Sequence, residues 1–328
     1  MSTPDIPLID ISTWRTGTPE QRVELATRLD RAMQDSGFFM VSNHGVSAEL
    51  MQQIRDASKR FFALPSATKR PYAAKVGGRG WLAKGEEANA FYGEEADADK
   101  PDLKESLTVG RPAAELSAGV DPAIVEAWFE PNVFPTEVPE LEALVAEYTT
   151  ATRALYVELL QVLATALGLD EDFFAGRVSN APYTFNINRY PPLTETETPA
   201  EGQFRVGPHT DWGILTILDR QVGYGGLQVQ TRDGEWADAP AVPGAFTVNI
   251  ADMLARWTGD RWRSTRHRVL PPSDQAPDEE LISLILFCEA DMDTRIEPLP
   301  APIGGGVDYP AITAGDYLLE RTLAASTS

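Results

Sequence analysis

The stretch GPHTDWG at 207–213 sets His209 and Asp211 two residues apart in a chain with only three histidines. In an extended strand, residues two apart point to the same face, so an imidazole and a carboxylate would stand side by side. Such a pair supplies two donors of a metal site and leaves the third to come from elsewhere, with His44 and His267 as the candidates. His267 lies in the strand-like segment RHRVL. His44 sits in the strand-to-helix turn SNHGV and is expected to be structural, bonded to a backbone carbonyl. Two imidazoles and one carboxylate on one face of an octahedral ion leave three positions open, the arrangement associated with non-haem iron(II) and oxygen chemistry. Zinc is possible on ligand softness, although its hydrolases more often carry a general base close to the ligands and none is evident here. Taken alone, an H-x-D pair is a weak signal, because strand histidines are often simply hydrogen-bonded.

Donors this far apart in sequence need a scaffold. After Asn180 the chain turns to short β-rich segments divided by turn signals, namely YTFNINRY, GILTIL, GGLQVQ, TVNI, RHRVL and LISLILF. Many short strands with little helix between them read as an antiparallel jelly roll or barrel. Upstream, Thr18, Pro19 and Gln21 form a capping-box start for one helix, GFFMVSNHGV reads as a strand and turn, and Ser47 caps a second helix that ends at Leu64-Pro65. From about Lys69 to Pro135 periodicity fades, as expected of a lid or binding wall, with Trp81, Phe91 and Tyr92 as wall or packing residues. A long helix follows from about Pro139 to Leu167 and stops at Gly168. The expected fold is mainly β with helices: a jelly-roll core at 176–328, wrapped by an N-terminal α/β part and the long helix at 1–175, within one structural unit.

Composition narrows the function class. No apolar run approaches membrane-spanning length, and MSTPDIPLIDIS lacks the features of a secretion signal, so a cytoplasmic protein is expected. The single cysteine, Cys288, excludes an internal disulfide and a thiolate-rich metal site, and its apolar run suggests a buried thiol. A net charge of -21 repels nucleic acid and anionic membranes, so neither is an expected partner. Any anionic ligand must therefore be captured by a local cation. A monomer acting on a small molecule is the default expectation.

RYPP (189–192), GPHTDWGILTIL, GGLQVQ with DGEW, TVNIADMLARWTGDRWRSTRHRV (247–269), IEPLP and ITAGDYLLERT together resemble the isopenicillin N synthase-like branch of the iron(II)- and 2-oxoglutarate-dependent oxygenases. IPLIDIS, GFFMVSNHGV and DLKES (102–106) fit the same branch in the same order, so the resemblance spans nearly the whole chain. It implies a double-stranded β-helix core with His209, Asp211 and His267 as iron ligands. It also implies chelation of iron by 2-oxoglutarate, use of O2, release of succinate and carbon dioxide, and hydroxylation, desaturation or cyclisation of a small-molecule substrate. The carboxylate at Asp211 argues against a halogenase.

The family pattern breaks at one residue. The family holds the distal carboxylate of 2-oxoglutarate with an Arg-x-Ser pair on a late strand and a tyrosine on an early one. Tyr190, Ser283 and Asn188 match, but Leu281 stands where the arginine is expected. Leucine cannot replace the two charge-assisted hydrogen bonds of a guanidinium fork. Arg205 shares parity with His209 and Asp211 and would enter the cavity if the strand ran back through Gly207-Pro208, whereas Arg189 has the parity of Tyr183 and faces away. A structural ion pair is the alternative for both. Two further readings stay open: an iron oxidase of the same fold that does without 2-oxoglutarate, and a silent β-core that binds a ligand, against which the intact triad argues.

Overall fold

The computed structural model describes residues 4–75, 77–86, 100–196, 198–223 and 226–326. Fourteen strands are present among these residues. They are β1 (Leu8–Asp10), β2 (Phe38–Ser42), β3 (Gly80–Leu82), β4 (Glu105–Gly110), β5 (Tyr183–Tyr190), β6 (Val206–His209) and β7 (Leu215–Asp219), followed by β8 (Leu227–Gln230), β9 (Trp236–Asp238), β10 (Phe246–Ile250), β11 (His267–Val269), β12 (Leu281–Cys288), β13 (Arg295–Ile296) and β14 (Ile312–Thr313). Eight of them form one sheet in the order β1-β2-β10-β7-β12-β5-β4-β3, and four form a second in the order β6-β11-β8-β9. This is the jelly-roll core expected from the sequence. The large sheet also takes in four strands from the N-terminal half, since β2 pairs with β10 and β4 pairs with β5.

Each face of the large sheet has its own task. Phe185, Ile187, Ile217, Val248, Leu284 and Leu286 face the helices and belong to the main hydrophobic cluster. The alternate residues of the same strands face the second sheet and line a cavity. The helix Glu140–Ala166 covers the first face, burying Leu141, Val145, Leu155, Leu159 and Leu163. The helix Pro19–Asp35 starts on the expected capping box, with Thr18 accepting from Gln21 and Gln21 returning the bond. Ser47 caps the helix Ala48–Phe62.

The stretch 69–135 holds more regular structure than its lost periodicity suggests. All six residues of β4 are buried, including Glu105, whose carboxylate takes Lys69 at 2.8 Å and Arg189 at 3.0 Å. A strand covered on both faces has no alternation to read. Trp81 is a packing residue here: it is buried in the main cluster and donates from Nε1 to Glu105 at 2.9 Å. Phe91 and Tyr92 lie outside the described residues. Trp212 packs partly buried against the main cluster.

Candidate metal centre and cosubstrate cavity

His209 ends β6, and His267 begins β11 directly opposite it. Asp211 lies just past the end of β6, so the two donors at 209 and 211 come from a strand end and the loop that follows it. His209, Asp211 and His267 offer one ligand atom each, all within 4.8 Å of one another. Asp211 Oδ1 stands 3.5 Å from His209 Nε2 and 3.8 Å from His267 Nε2. These separations suit three donors that converge on one cation. His44 lies elsewhere, its Nε2 3.0 Å from Gly244 O and its ring stacked on Phe246 at 3.8 Å between centroids.

The outer contacts of the three residues leave one donor atom on each turned inward. His209 Nδ1 is 2.8 Å from Gly207 O, and His267 Nδ1 is 3.1 Å from Thr265 O. An Nδ1–H bonded to a carbonyl leaves the Nε2 lone pair for a metal. Asp211 Oδ2 accepts from Thr216 Oγ1 at 2.5 Å and from Asn249 Nδ2 at 2.7 Å, which reserves Oδ1. Burial alone would raise the Asp211 carboxyl, but the two imidazoles and the Asn249 bond outweigh it and hold the group well below the usual carboxylate range. Burial and the neighbouring His209 push His267 down to about 4, so it is neutral at physiological pH. His209 is raised, because the bond and charge of Asp211 outweigh its burial. An ionised carboxylate and neutral imidazole are the protonation states a metal requires.

The ligand atoms open on a cavity between the two sheets that encloses about 730 Å³ of empty space, part of it solvent. Its lining includes Asn188, Tyr190 and Ser283, the three residues matched to the 2-oxoglutarate site, and Leu281 beside them. Arg205 does not line it. The register of β6 against β11 shifts between the pairs His267–His209 and Val269–Val206, so β6 carries one extra residue and the parity count from His209 fails. Val206 therefore faces the cavity, while Arg205 is buried behind it, 3.4 Å from Glu279 and over the Tyr190 ring at 5.7 Å. Arg189 faces away as expected, held by Glu105, Glu195 and Glu280.

Two family models match the chain. Residues 182–290 match the 2OG-Fe(II) oxygenase superfamily, and residues 6–137 match the N-terminal part described as non-haem dioxygenase in morphine synthesis. The validamycin A dioxygenase of Streptomyces hygroscopicus subsp. limoneus is 38% identical over 326 residues, covering 99% of this chain and 88% of the relative. The chain belongs to the iron(II)- and 2-oxoglutarate-dependent dioxygenases. The crystal structure of a full-length Neurospora crassa protein in complex with alpha-KG and thymine matches the enzyme with a TM-score of 0.82 at 28% identity, covering 97% of this chain and 96% of that one. A putative 2OG-Fe(II) oxygenase family protein from Caulobacter crescentus matches with a TM-score of 0.82 at 29% identity, covering 97% and 99%. The enzyme is thus an oxidoreductase that uses iron(II), 2-oxoglutarate and O2 on a small molecule, and the comparisons favour this reading over the 2-oxoglutarate-independent oxidase.

The sequence reading missed four polar residues of the cavity, among them Gln221, whose Oε1 accepts from Ile282 N. Asn249 and Thr216 orient Asp211, and Arg220 lines the cavity from the residue after β7. Asn249 carried a signal, a polar residue inside the apolar run TVNI whose neighbours Val248 and Ile250 face the opposite way. Arg220 gave none, since a charged residue after Asp219 reads as the solvated end of a strand.

Proposed function

We propose that His209, Asp211 and His267 hold the iron, with Asn188, Tyr190 and Ser283 forming part of the 2-oxoglutarate subsite. The observation that carries this reading is the convergence of two Nε2 atoms and one Oδ1 on a single point of the cavity, each with its other polar atom already bonded. Iron bound there supplies the Lewis-acid and redox chemistry through which O2 and 2-oxoglutarate are converted as the substrate is oxidised. The protein's part is orientation and exclusion of water. The carbonyls of Gly207 and Thr265 set the imidazole tautomers, and Thr216 and Asn249 fix the carboxylate rotamer. Leu218, Leu227, Val269, Ile285 and Phe287 give the cavity dry walls. Burial pushes the Tyr190 hydroxyl up, so it keeps its proton and serves as a donor to a carboxylate, together with Ser283.

The substrate is a small molecule of specialised metabolism, a reading supported by the 38% identity to a relative named for validamycin A. The enzyme acts as a cytoplasmic monomer, and it has no nucleic-acid or membrane partner, the latter reading being supported by the charge of -21, which repels anionic surfaces. No helix among the described residues is long and apolar enough to cross a membrane.

Anaerobic titration of the metal-free enzyme with iron(II) is expected to give one tight equivalent, and 2-oxoglutarate then a weak visible charge-transfer band. Asp211→Ala and His267→Ala are expected to lose the tight equivalent and the formation of succinate. Retention of tight binding by both variants would refute the assignment. Validamycin A is the first substrate to offer, read as substrate-dependent succinate release.

A further inference from the structure

Leu281 removes a cation from the cosubstrate cavity, and the structure puts another one back from the neighbouring strand. Among the described residues, Arg220 is the only lysine or arginine that lines the cavity also lined by His209, Asp211 and His267. We infer that Arg220 binds the distal carboxylate of 2-oxoglutarate in place of the arginine missing at 281, an inference that rests on the proposed function of the cavity.

Register supports the placement. β12 pairs with β7 at Leu284–Asp219, so the next pair sets Ser283 opposite Arg220, and on the other side of β12 Ser283 pairs with Asn188. Arg220, Ser283 and Asn188 thus form one row across three strands and all face the cavity. Arg220 is the diagonal neighbour of Leu281, a separation of about 7–8 Å that a long side chain spans.

Bonding supports it as well. The guanidinium donates from Nη2 to Ala239 O at 2.8 Å and to Pro240 O, both on the segment after β9. Those two carbonyls hold its orientation without neutralising it. Its Nε is buried with no hydrogen-bond partner. Burial without an opposing carboxylate pushes the group down to about 10, so it is still a cation at neutral pH. A half-satisfied buried cation is costly unless an anion completes it, and a carboxylate is the natural complement of the unused edge of the fork. The other basic side chains of this region are already engaged. Arg205 faces Glu279, and Arg189 holds three glutamates.

The test compares 2-oxoglutarate with 2-oxopentanoate, which keeps the chelating keto acid and lacks the distal carboxylate. Both are titrated anaerobically into iron-loaded wild type, Arg220→Met and Arg220→Lys, following the charge-transfer band. Wild type is expected to prefer 2-oxoglutarate by about a hundredfold or more, the scale of a buried charge pair that has lost one partner. Arg220→Met is expected to bind both acids alike, with 2-oxopentanoate affinity and iron stoichiometry kept. Arg220→Lys retains the charge without the fork and is expected to keep part of the preference, and Leu281→Arg added to Arg220→Met is expected to restore it. Should wild type form no band with either acid, the cofactor assignment itself fails and the inference goes with it. Wild type that binds both acids equally, or an Arg220→Met protein that still prefers 2-oxoglutarate, overturns the inference and leaves the iron site intact. The same holds if the preference is lost on changing Arg205, or Lys104, a buried lysine whose charge acts on Tyr190, instead. If Arg220→Met does not fold, the wild-type comparison and Arg220→Lys still decide.

Discussion

Glu289→Gln is expected to stabilise the iron-free enzyme at high pH and to leave it unchanged at low pH. Glu289 follows β12, and its Oε2 is buried with no hydrogen-bond partner. Burial, with the charge of Asp211 adding to it, pushes the carboxyl up to about 8 from 4.5. The folded state therefore keeps a proton that the unfolded chain releases. Between pH 4.5 and 8 the folded protein binds more protons, so stability is full below the unfolded value and is lost as pH rises through the folded one. A shift of this size corresponds to about 5 kcal/mol at 1.36 kcal/mol for each pH unit. Residual solvent contact of the side chain reduces this to roughly 2–3 kcal/mol. For a chain of this length that amounts to a rise in Tm of ~4 °C. Glutamine keeps the shape and never ionises, so melting curves of both proteins at pH 5 and pH 9 isolate the effect. Equal Tm differences at the two pH values would refute the argument that Glu289 is held protonated.

Other perturbations follow from the same geometry. Asn249→Leu removes the 2.7 Å bond to Asp211 Oδ2 and is expected to weaken iron(II) by roughly 10–100-fold with the fold retained, read by competitive chelation. Gly213→Ala would place a Cβ 2.7 Å from Cys288 O, a backbone atom, so it is expected to cost about 1–3 kcal/mol and to disturb the loop that carries Asp211; an unchanged Tm would contradict this. Arg55→Met leaves the buried Asp219 carboxylate without its 2.6 Å partner and is expected to destabilise the enzyme by about 3 kcal/mol in chemical denaturation.

The capping box at Thr18, the Ser47 cap and the strands YTFNINRY and LISLILF were legible because their signals are local, set by side chains within a turn, by period-two alternation in the first strand and by a short continuous apolar run in the second. The three residues proposed as metal donors could be named from the sequence for a related reason: with three histidines in the chain, spacing and resemblance left few choices, and the fold brings their ligand atoms within 4.8 Å of one another. Glu105–Gly110 was not legible as a strand, because it is buried on both faces and its acidic residue Glu105 is neutralised by partners at 69 and 189 that no local window contains. Arg205 was misplaced because an extra residue in β6 shifts parity, and a bulge is defined by the partner strand. Arg220 illustrates the boundary most clearly. Its identity as a cation, and the absence of one at 281, are written in the sequence. That it enters the same cavity opposite Ser283 depends on the pairing of β7 with β12, residues more than sixty apart in the chain, and only the folded sheet decides that register.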